Sequence, residues 1–342
     1  MSLRNLSLIT AILFVASIFV YVNENKRGTD LLAGSDYIKG LDINEIQKII
    51  LTFDDDKKLS LSRDSKRFVL DNHKSYPAST DKVNDLIYKI ASIQVKERVD
   101  SEVDEKDLVK YELGSDQRKY QVELFDSEGK RTVAFSVGKS QKGKGNFLTK
   151  EGTKEVYLSK QNLILNSSYK DFISTFLLEL KKDDIEKVSL SADKNIEFVK
   201  KDNQFVIETP GGDKFKKEKV EEYTGSFSSI QFDDFFSIDE PQIRSLSFDR
   251  DIKIQLKNRL IYRVSLAKDK EDYFVRLSAL MEDPQKKFVV SQNDGKEELK
   301  KIEDVIQAQE KAQKINSERA PWVYKVDKAV YEKLAKGSKF FL

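Results

Sequence analysis

The chain has one histidine, His73, in the stretch DNHKSYP, and no cysteine. The missing cysteine removes disulfides, thiolate nucleophiles, thiolate zinc sites and a cysteine-borne lipid anchor. A single histidine cannot found a His-based metal cluster, and in a polar turn it reads as a surface residue. Gly138-Lys139-Ser140 has the ending of a phosphate loop. That loop needs a glycine five positions before Gly138, where Val133 stands, and it must feed a helix N-terminus. Here the segment leads through KGKG toward another strand, so it reads as a solvated hairpin. Asp54-Asp55-Asp56 lacks the alternating oxygen ligands, central glycine and distal glutamate of a calcium loop, and reads as an acidic turn. Asp233-Asp234 and Asp239-Glu240 have the residue types of a glycosidic carboxylate pair. With 58 acidic residues in the chain, such pairs arise by accident. These readings predict no catalytic residue, no cofactor and no metal.

Hydrophobic residues make up 39% of the 342 positions and charged residues 35%. That apolar share can build packed cores, and the length suits two domains. Basic and acidic residues nearly cancel, 60 against 58. Nucleic-acid binders draw their affinity from concentrated positive charge, so no nucleic-acid partner is expected.

The elements follow from an internal repeat. SIQV at Ser92–Val95 returns as SIQF at Ser229–Phe232, 137 residues later. Before it, Leu59 matches Ile196, Leu61 Phe198, Phe68 Phe205, Leu70 Ile207, Val83 Val220 and Ile90 Phe227, all at that offset. A two-residue difference falls in the acidic turn, ahead of which Ile49 matches Val188 and Leu51 matches Leu190. Such constancy marks a duplicated unit. KIILTF, KLSLSR and RFVLDN are short, β-rich and partly alternating, and read as a meander. Val83, Leu86, Ile87 and Ile90 follow the spacing of a one-sided helix, with Thr80 as its expected N-cap. YQVELFD, TVAFSVG, IKIQLKN and IYRVSLA supply further strands. A helix is expected over Ser168–Leu180, and WVYKVDKAVYEKL closes the second copy in the same way.

Residues 6–22, LSLITAILFVASIFVYV, carry no charge over 17 positions. As a helix they reach roughly 25 Å, slightly less than a hydrocarbon core of about 30 Å. Small residues at the cleavage positions are missing from VYVNEN, which favours an uncleaved anchor over a signal peptide. A buried core helix would have a polar face. The flanking charges nearly tie, and the short leading tail favours an inside amino terminus with the bulk outside.

The predicted fold class is therefore α+β: an N-terminal transmembrane helix followed by two repeated units of antiparallel sheet with packed helices. The expected limits are an anchor at 1–28, a linker at 29–40, a first unit at 41–182 and a second at 183–342. The second unit carries an unmatched helix near 297–319, whose apolar stripe is Ile302, Val305, Ile306, Ala312 and Ile315. That stripe suits a helix lying on its own sheet or a helix that binds a partner. Phe227, Phe232, Phe235 and Phe236 crowd into FSSIQFDDFF and read mainly as core. An exposed subset would make an interface of the kind aromatic residues favour. The candidate partner surface is thus Phe232, Phe235, Phe236, Ile302, Val305 and Ile306.

The opening LDINEIQKIIL, the series RFVLDN…YPASTDKVNDLIYKIASIQV and VGKSQKGKGNFLTKEGTKEVYLSK together resemble the bacterial family labelled domain of unknown function (DUF) 4340. The resemblance covers about residues 40–235 and, more loosely, WVYKVDKAVYEKL. Phe68 stands where many members carry tryptophan. Members often occur beside ABC-transport components like those linked to gliding motility. The resemblance implies an accessory component on the extracytoplasmic side of the inner membrane, with no catalytic residues to carry over. The expected function is a noncatalytic scaffold or docking subunit of an ABC-type export or motility-related complex, held in the inner (cytoplasmic) membrane through residues 6–22. Its expected partners are membrane proteins. The alternative is a ligand-binding or cell-wall-binding module with a cleft between the repeats.

Overall fold

The computed structural model describes residues 33–342 apart from 55, 66, 192, 203, 209–214 and 283–294. The expected anchor at 6–22 lies outside the described residues. Among the described residues, no helix is long and apolar enough to cross a membrane. The chain divides into two compact units between Ile173 and Ser174.

Unit 1 is built on β1 (Lys48–Phe53), β2 (Lys58–Asp64), β3 (Arg67–Leu70), β4 (Tyr76–Pro77), helix α1 (Thr80–Ala91) and β5 (Val95–Asp100). The short helix α2 (Glu105–Leu108) precedes β6 (Tyr120–Phe125), β7 (Arg131–Gln141), β8 (Gly145–Lys150) and β9 (Val156–Ser159). The strands form one antiparallel sheet in the order β4-β3-β2-β1-β6-β7-β8-β9-β5. Unit 2 begins with β10 (Phe176–Leu178) and continues with β11 (Ile185–Ser191), β12 (Asn195–Lys201), β13 (Gln204–Ile207), helix α3 (Lys217–Gly225), β14 (Ile230–Gln231) and β15 (Asp234–Ser237). Then come α4 (Pro241–Arg244), β16 (Phe248–Leu256), β17 (Leu260–Asp269), β18 (Asp272–Met281), α5 (Lys296–Glu318), β19 (Trp322–Val326), α6 (Lys328–Leu334) and α7 (Ser338–Phe341). Its main sheet runs β13-β12-β11-β16-β17-β18-β19-β15.

The two orders are the same once β4 is set aside, and the register repeats as well. Ile49 faces Leu61 and Leu51 faces Leu59 across β1–β2. Their counterparts Val188 and Phe198, and Leu190 and Ile196, face each other across β11–β12. A one-residue slip would turn every one of these apolar side chains toward water. That is why the hydrophobic spacing is kept in both copies.

The repeat begins earlier than its apolar spacing indicates. In unit 1, Val95 N–H donates to Ser35 C=O at 2.9 Å and Asp36 bridges Gln94. In unit 2, Phe232 N–H donates to Thr175 C=O at 3.1 Å and Gln231 pairs with Phe176. So the end of the expected linker, with Tyr37 buried, is the opening segment of unit 1. Residues 174–180 are the corresponding opening of unit 2. The helix expected over Ser168–Leu180 does not form. Tyr169–Phe172 make one 3-10 turn, and Phe176–Leu178 are a strand. FISTFLLEL spaces Ser174, Thr175 and Glu179 along one side as a helix would, but its backbone pairs instead with Ile230–Gln231, some fifty residues further on. Helix α1 buries Val83, Leu86, Ile87 and Ile90 as expected, with Ser79 rather than Thr80 as its N-cap.

Candidate functional site

The residues whose types suggested chemistry are spent on structure. His73 ends a 3-10 turn and is half-buried, its ring lying 4.0 Å from that of Tyr169. It is a packing residue rather than a loose surface one. Gly138, Lys139 and Ser140 lie inside β7, and a Cβ on Gly138 would sit 2.1 Å from Tyr111 O. That glycine permits a close backbone approach, and the strand runs through a turn into β8. Asp54 and Asp56 occupy the β1–β2 turn, where Asp56 takes a left-handed φ of 57° and donates its N–H to Phe53 O at 3.0 Å. The acids near 233–240 serve local backbone and ion-pair contacts. Asp234 accepts Phe235 N–H at 2.9 Å, Asp239 pairs with Arg244 at 3.0 Å and Glu240 accepts Ser237 N–H at 2.8 Å. Among the described residues, no group of three or more metal-ligating side chains comes together.

The six residues of the candidate partner surface part company. Phe232 and Phe235 are buried, Phe232 against Tyr324 at 4.7 Å and Phe235 edge-on to Trp322 at 5.4 Å. Phe236 is half-buried, 6.2 Å from Phe274. On α5, Ile302, Ala308 and Ala312 are buried and Val305 is half-buried, because the helix lies along β17 and β18 of its own sheet. Ile306 alone of the six is exposed, at 47%. The aromatic crowding marks core, and α5 covers a sheet. Strand β19 pairs with β18 only at Tyr273–Val275, and α5 meets the strand beyond that point.

One concavity lies within unit 1, where composition gave no signal. It has a volume of about 590 Å³ and runs between the segment Tyr37–Ile46 and residues Arg131–Phe135 of β7, closed at one end by Lys150–Thr153. Tyr37 sits at its inner wall, buried against Phe135 and Tyr157 with ring distances of 5.5 and 5.6 Å. Burial pushes the Tyr37 hydroxyl well above its ordinary pKa, because a phenolate there would lack water. The Lys150 ammonium lies 5.1 Å over the Tyr37 ring, an attraction to the negative ring face. Behind it, the Tyr157 hydroxyl donates to Glu155 at 2.6 Å and Arg98 pairs with Glu155 at 3.0 Å. These donors hold the Glu155 carboxyl below its usual range, the tyrosine contributing most. At the outer end, Arg131 bridges Glu123 at 2.7 Å and Glu151 at 2.9 Å.

The cleft exists because β8 is short. Its pairing with β7 ends at Phe135–Lys150, and Glu151 N–H reaches Ala134 O at 3.1 Å. The chain then turns at Gly152, whose φ is +77°. In unit 2 the matching strand does not turn. Val264, the counterpart of Phe135, faces Leu277, and β18 continues so that Ala279, Leu280 and Met281 face Tyr262, Ile261 and Leu260. The sequence signal was the length contrast between GNFLTK and DYFVRLSALM, legible only once the strands were aligned.

Residues 69–249, just over half of the chain, match the model of a family described as Domain of unknown function (DUF4340). The match runs from β3 to β16 and so spans both units. No curated protein and no solved structure matches the chain.

Proposed function

The chain belongs to the DUF4340 family, and from that membership we propose that it is a noncatalytic accessory or scaffold subunit, tethered to the inner membrane with its two units on the extracytoplasmic side. Its partners are membrane proteins of an ABC-type export or motility-related complex. The observation that carries this reading is the uncharged run of 17 residues at 6–22, set ahead of a duplicated sheet unit. A helix of that length suits a bilayer span. The near balance of 60 basic and 58 acidic residues also suits protein contacts better than nucleic acid.

The test is copurification of the full-length chain from native membranes with mass spectrometry, beside a form lacking residues 1–28. Transporter subunits recovered with the full-length chain support the role, and the shortened form then tells whether the anchor or the units make the contact. Recovery of the chain alone under crosslinking would sink it. A second reading, an envelope ligand-binding or cell-wall-binding module, is favoured by the unit 1 cleft. Soluble cell-wall fragments that raise the melting temperature would support it; an unchanged melting temperature would remove it.

A further inference from the structure

We propose that the basic turn between β7 and β8 docks on the headgroup layer of an anionic membrane surface. The inference rests on the tether proposed above, and names a second contact between that membrane and unit 1.

Four observations carry it. First, the turn is a local excess of positive charge. Between Glu128 and Glu151 the chain has six basic residues and no acidic one. Lys139, Lys142 and Lys144 crowd the end of the hairpin, all three exposed, and none has a carboxylate at ion-pairing distance among the described residues. Around the base of the hairpin the charges cancel, Arg118, Lys119 and Lys160 standing against Asp36, Glu112 and Asp116. The three lysines of the turn are therefore the surplus. Second, the fold does not require them. Strands β17 and β18 make the matching hairpin of unit 2, and its turn reads Lys268-Asp269-Lys270-Glu271-Asp272, with more acids than bases. Third, the turn offers charge without an anchor. KSQKGK, residues 139–144, contains no apolar or aromatic side chain. Protein interfaces are built on such anchors and are poor in lysine. An anionic headgroup layer needs only cations that reach its surface. Fourth, the tether enters unit 1 close by. Gly145, which ends the turn, lies against Ser159 O; Ser159 pairs with Val95, and Val95 O accepts Gly34 N–H at 2.8 Å. Three strand spacings of about 4.8 Å place Gly34 within about 15 Å of the turn. The stretch from Val22, which ends the uncharged run, to Gly34 reaches at most about 40 Å. So short a tether holds the turn at a high effective concentration beside the membrane. A second, weak signal then adds to the first, and three lysines are enough.

The chain has no cysteine, so Ser140→Cys gives the full-length protein one attachment point beside the three lysines. A donor dye there and an acceptor on lipid headgroups report the approach of the turn to the membrane by energy transfer. The protein is reconstituted in nanodiscs of phosphatidylcholine alone, and of phosphatidylcholine with about one third phosphatidylglycerol, an anionic lipid. Transfer should be higher in the anionic discs, and should fall there as salt rises from about 0.05 to 0.5 M and screens the contact. Each lysine at such a surface strengthens docking about fivefold, so Lys139→Gln, Lys142→Gln and Lys144→Gln together should lower the ratio of docked to undocked protein about a hundredfold. Equal transfer in the two discs, or transfer that ignores salt, overturns the proposal, and neither readout needs the triple variant to fold. Undiminished transfer by that variant overturns it as well. Crosslinks from position 140 to an acidic membrane protein in native membranes, without lipid-charge dependence in the discs, would assign the turn to that protein instead. A chain that enters the discs but ignores lipid charge removes this inference and leaves the tether. A chain that docks on anionic discs and is stripped from them by high salt keeps the role of the turn and removes the tether.

Discussion

Asn316 holds Ala279 as a neighbouring strand would, with its amide nitrogen on the Ala279 carbonyl at 2.7 Å and its amide oxygen on the Ala279 N–H at 2.9 Å. One side chain of α5 thus satisfies both backbone groups at the outer edge of β18, where β19 has already left. An unsatisfied buried backbone group costs about 1–3 kcal/mol. Asn316→Ala should therefore lower the stability of unit 2 by about 2 kcal/mol and speed hydrogen exchange of the Ala279 amide. Unchanged exchange at Ala279 would show that the pairing is dispensable.

The helix Ser338–Phe341 is a plug. Phe341 is fully buried, with ring centroids 4.9 Å from Phe198 and 5.4 Å from Tyr223, and its carbonyl accepts Lys216 N–H at 2.7 Å. The Tyr223 hydroxyl donates to Leu334 O at 3.0 Å. Phe341→Ala should cost about 3–5 kcal/mol, the usual range for an emptied aromatic site. Denaturant unfolding followed by probes in each unit should place that loss in unit 2. An equal loss in both units would contradict this.

The anchor of that plug sets a pH window. Asp193 accepts the Ser338 hydroxyl at 2.6 Å and the Ser338 N–H at 3.0 Å, and its pKa is lowered to about 2, the hydroxyl contributing most. A depressed carboxylate stabilises the fold above its unfolded pKa of about 3.9. The contribution is lost as pH falls from there through the folded value. The site is exposed, so solvent screening keeps the effect small. Docking of α7, followed by the fluorescence of a probe near Phe341, should weaken between about pH 4 and pH 2. Asp193→Asn should remove that dependence; a variant with the same acid limb would refute the assignment.

Two glycines of unit 1 should respond very differently to alanine. Gly145 has a φ of +116°, and a Cβ there would lie 2.0 Å from Ser159 O. The neighbouring Asn146 is buried, donating to Gly138 O at 3.0 Å and accepting Leu163 N–H at 2.8 Å. That backbone cannot shift cheaply. Gly143 has a φ of +71° with open space around it. Gly143→Ala should cost about 1–2 kcal/mol, the price of the left-handed conformation. Gly145→Ala should cost clearly more, and equal melting temperatures for the two variants would refute the distinction.

Much of each unit was legible because one face of each strand must be apolar. Leu51, Leu61, Val188 and Phe198 keep a period of two, and that period fixed both the strands and their equivalence. What could not be read was pairing at long range. FISTFLLEL carries no mark that its partner is Ile230–Gln231, and the segment before Leu41 gives no sign that it lies along Gln94–Val95. The aromatic cluster misled for a related reason. Burial of Phe232 and Phe235 depends on Tyr324 and Trp322, about ninety residues away. The cleft was illegible because it is made by a missing strand segment, and a deletion leaves no residues to notice.

The closing pairs of the two sheets also set their folding order. In unit 1, Arg98 meets Tyr157; in unit 2, Phe235 meets Tyr324 across a far longer stretch of chain. Loop closure costs more as the stretch grows, and non-local strand pairing is slow. A nascent chain can complete the sheet of unit 1 while much of unit 2 is still unmade. Unit 2 cannot seat its last strand until Val326 has emerged, nor its core ring until Phe341 arrives. A chain stopped short of Phe341 therefore has one repeat finished and its twin still open.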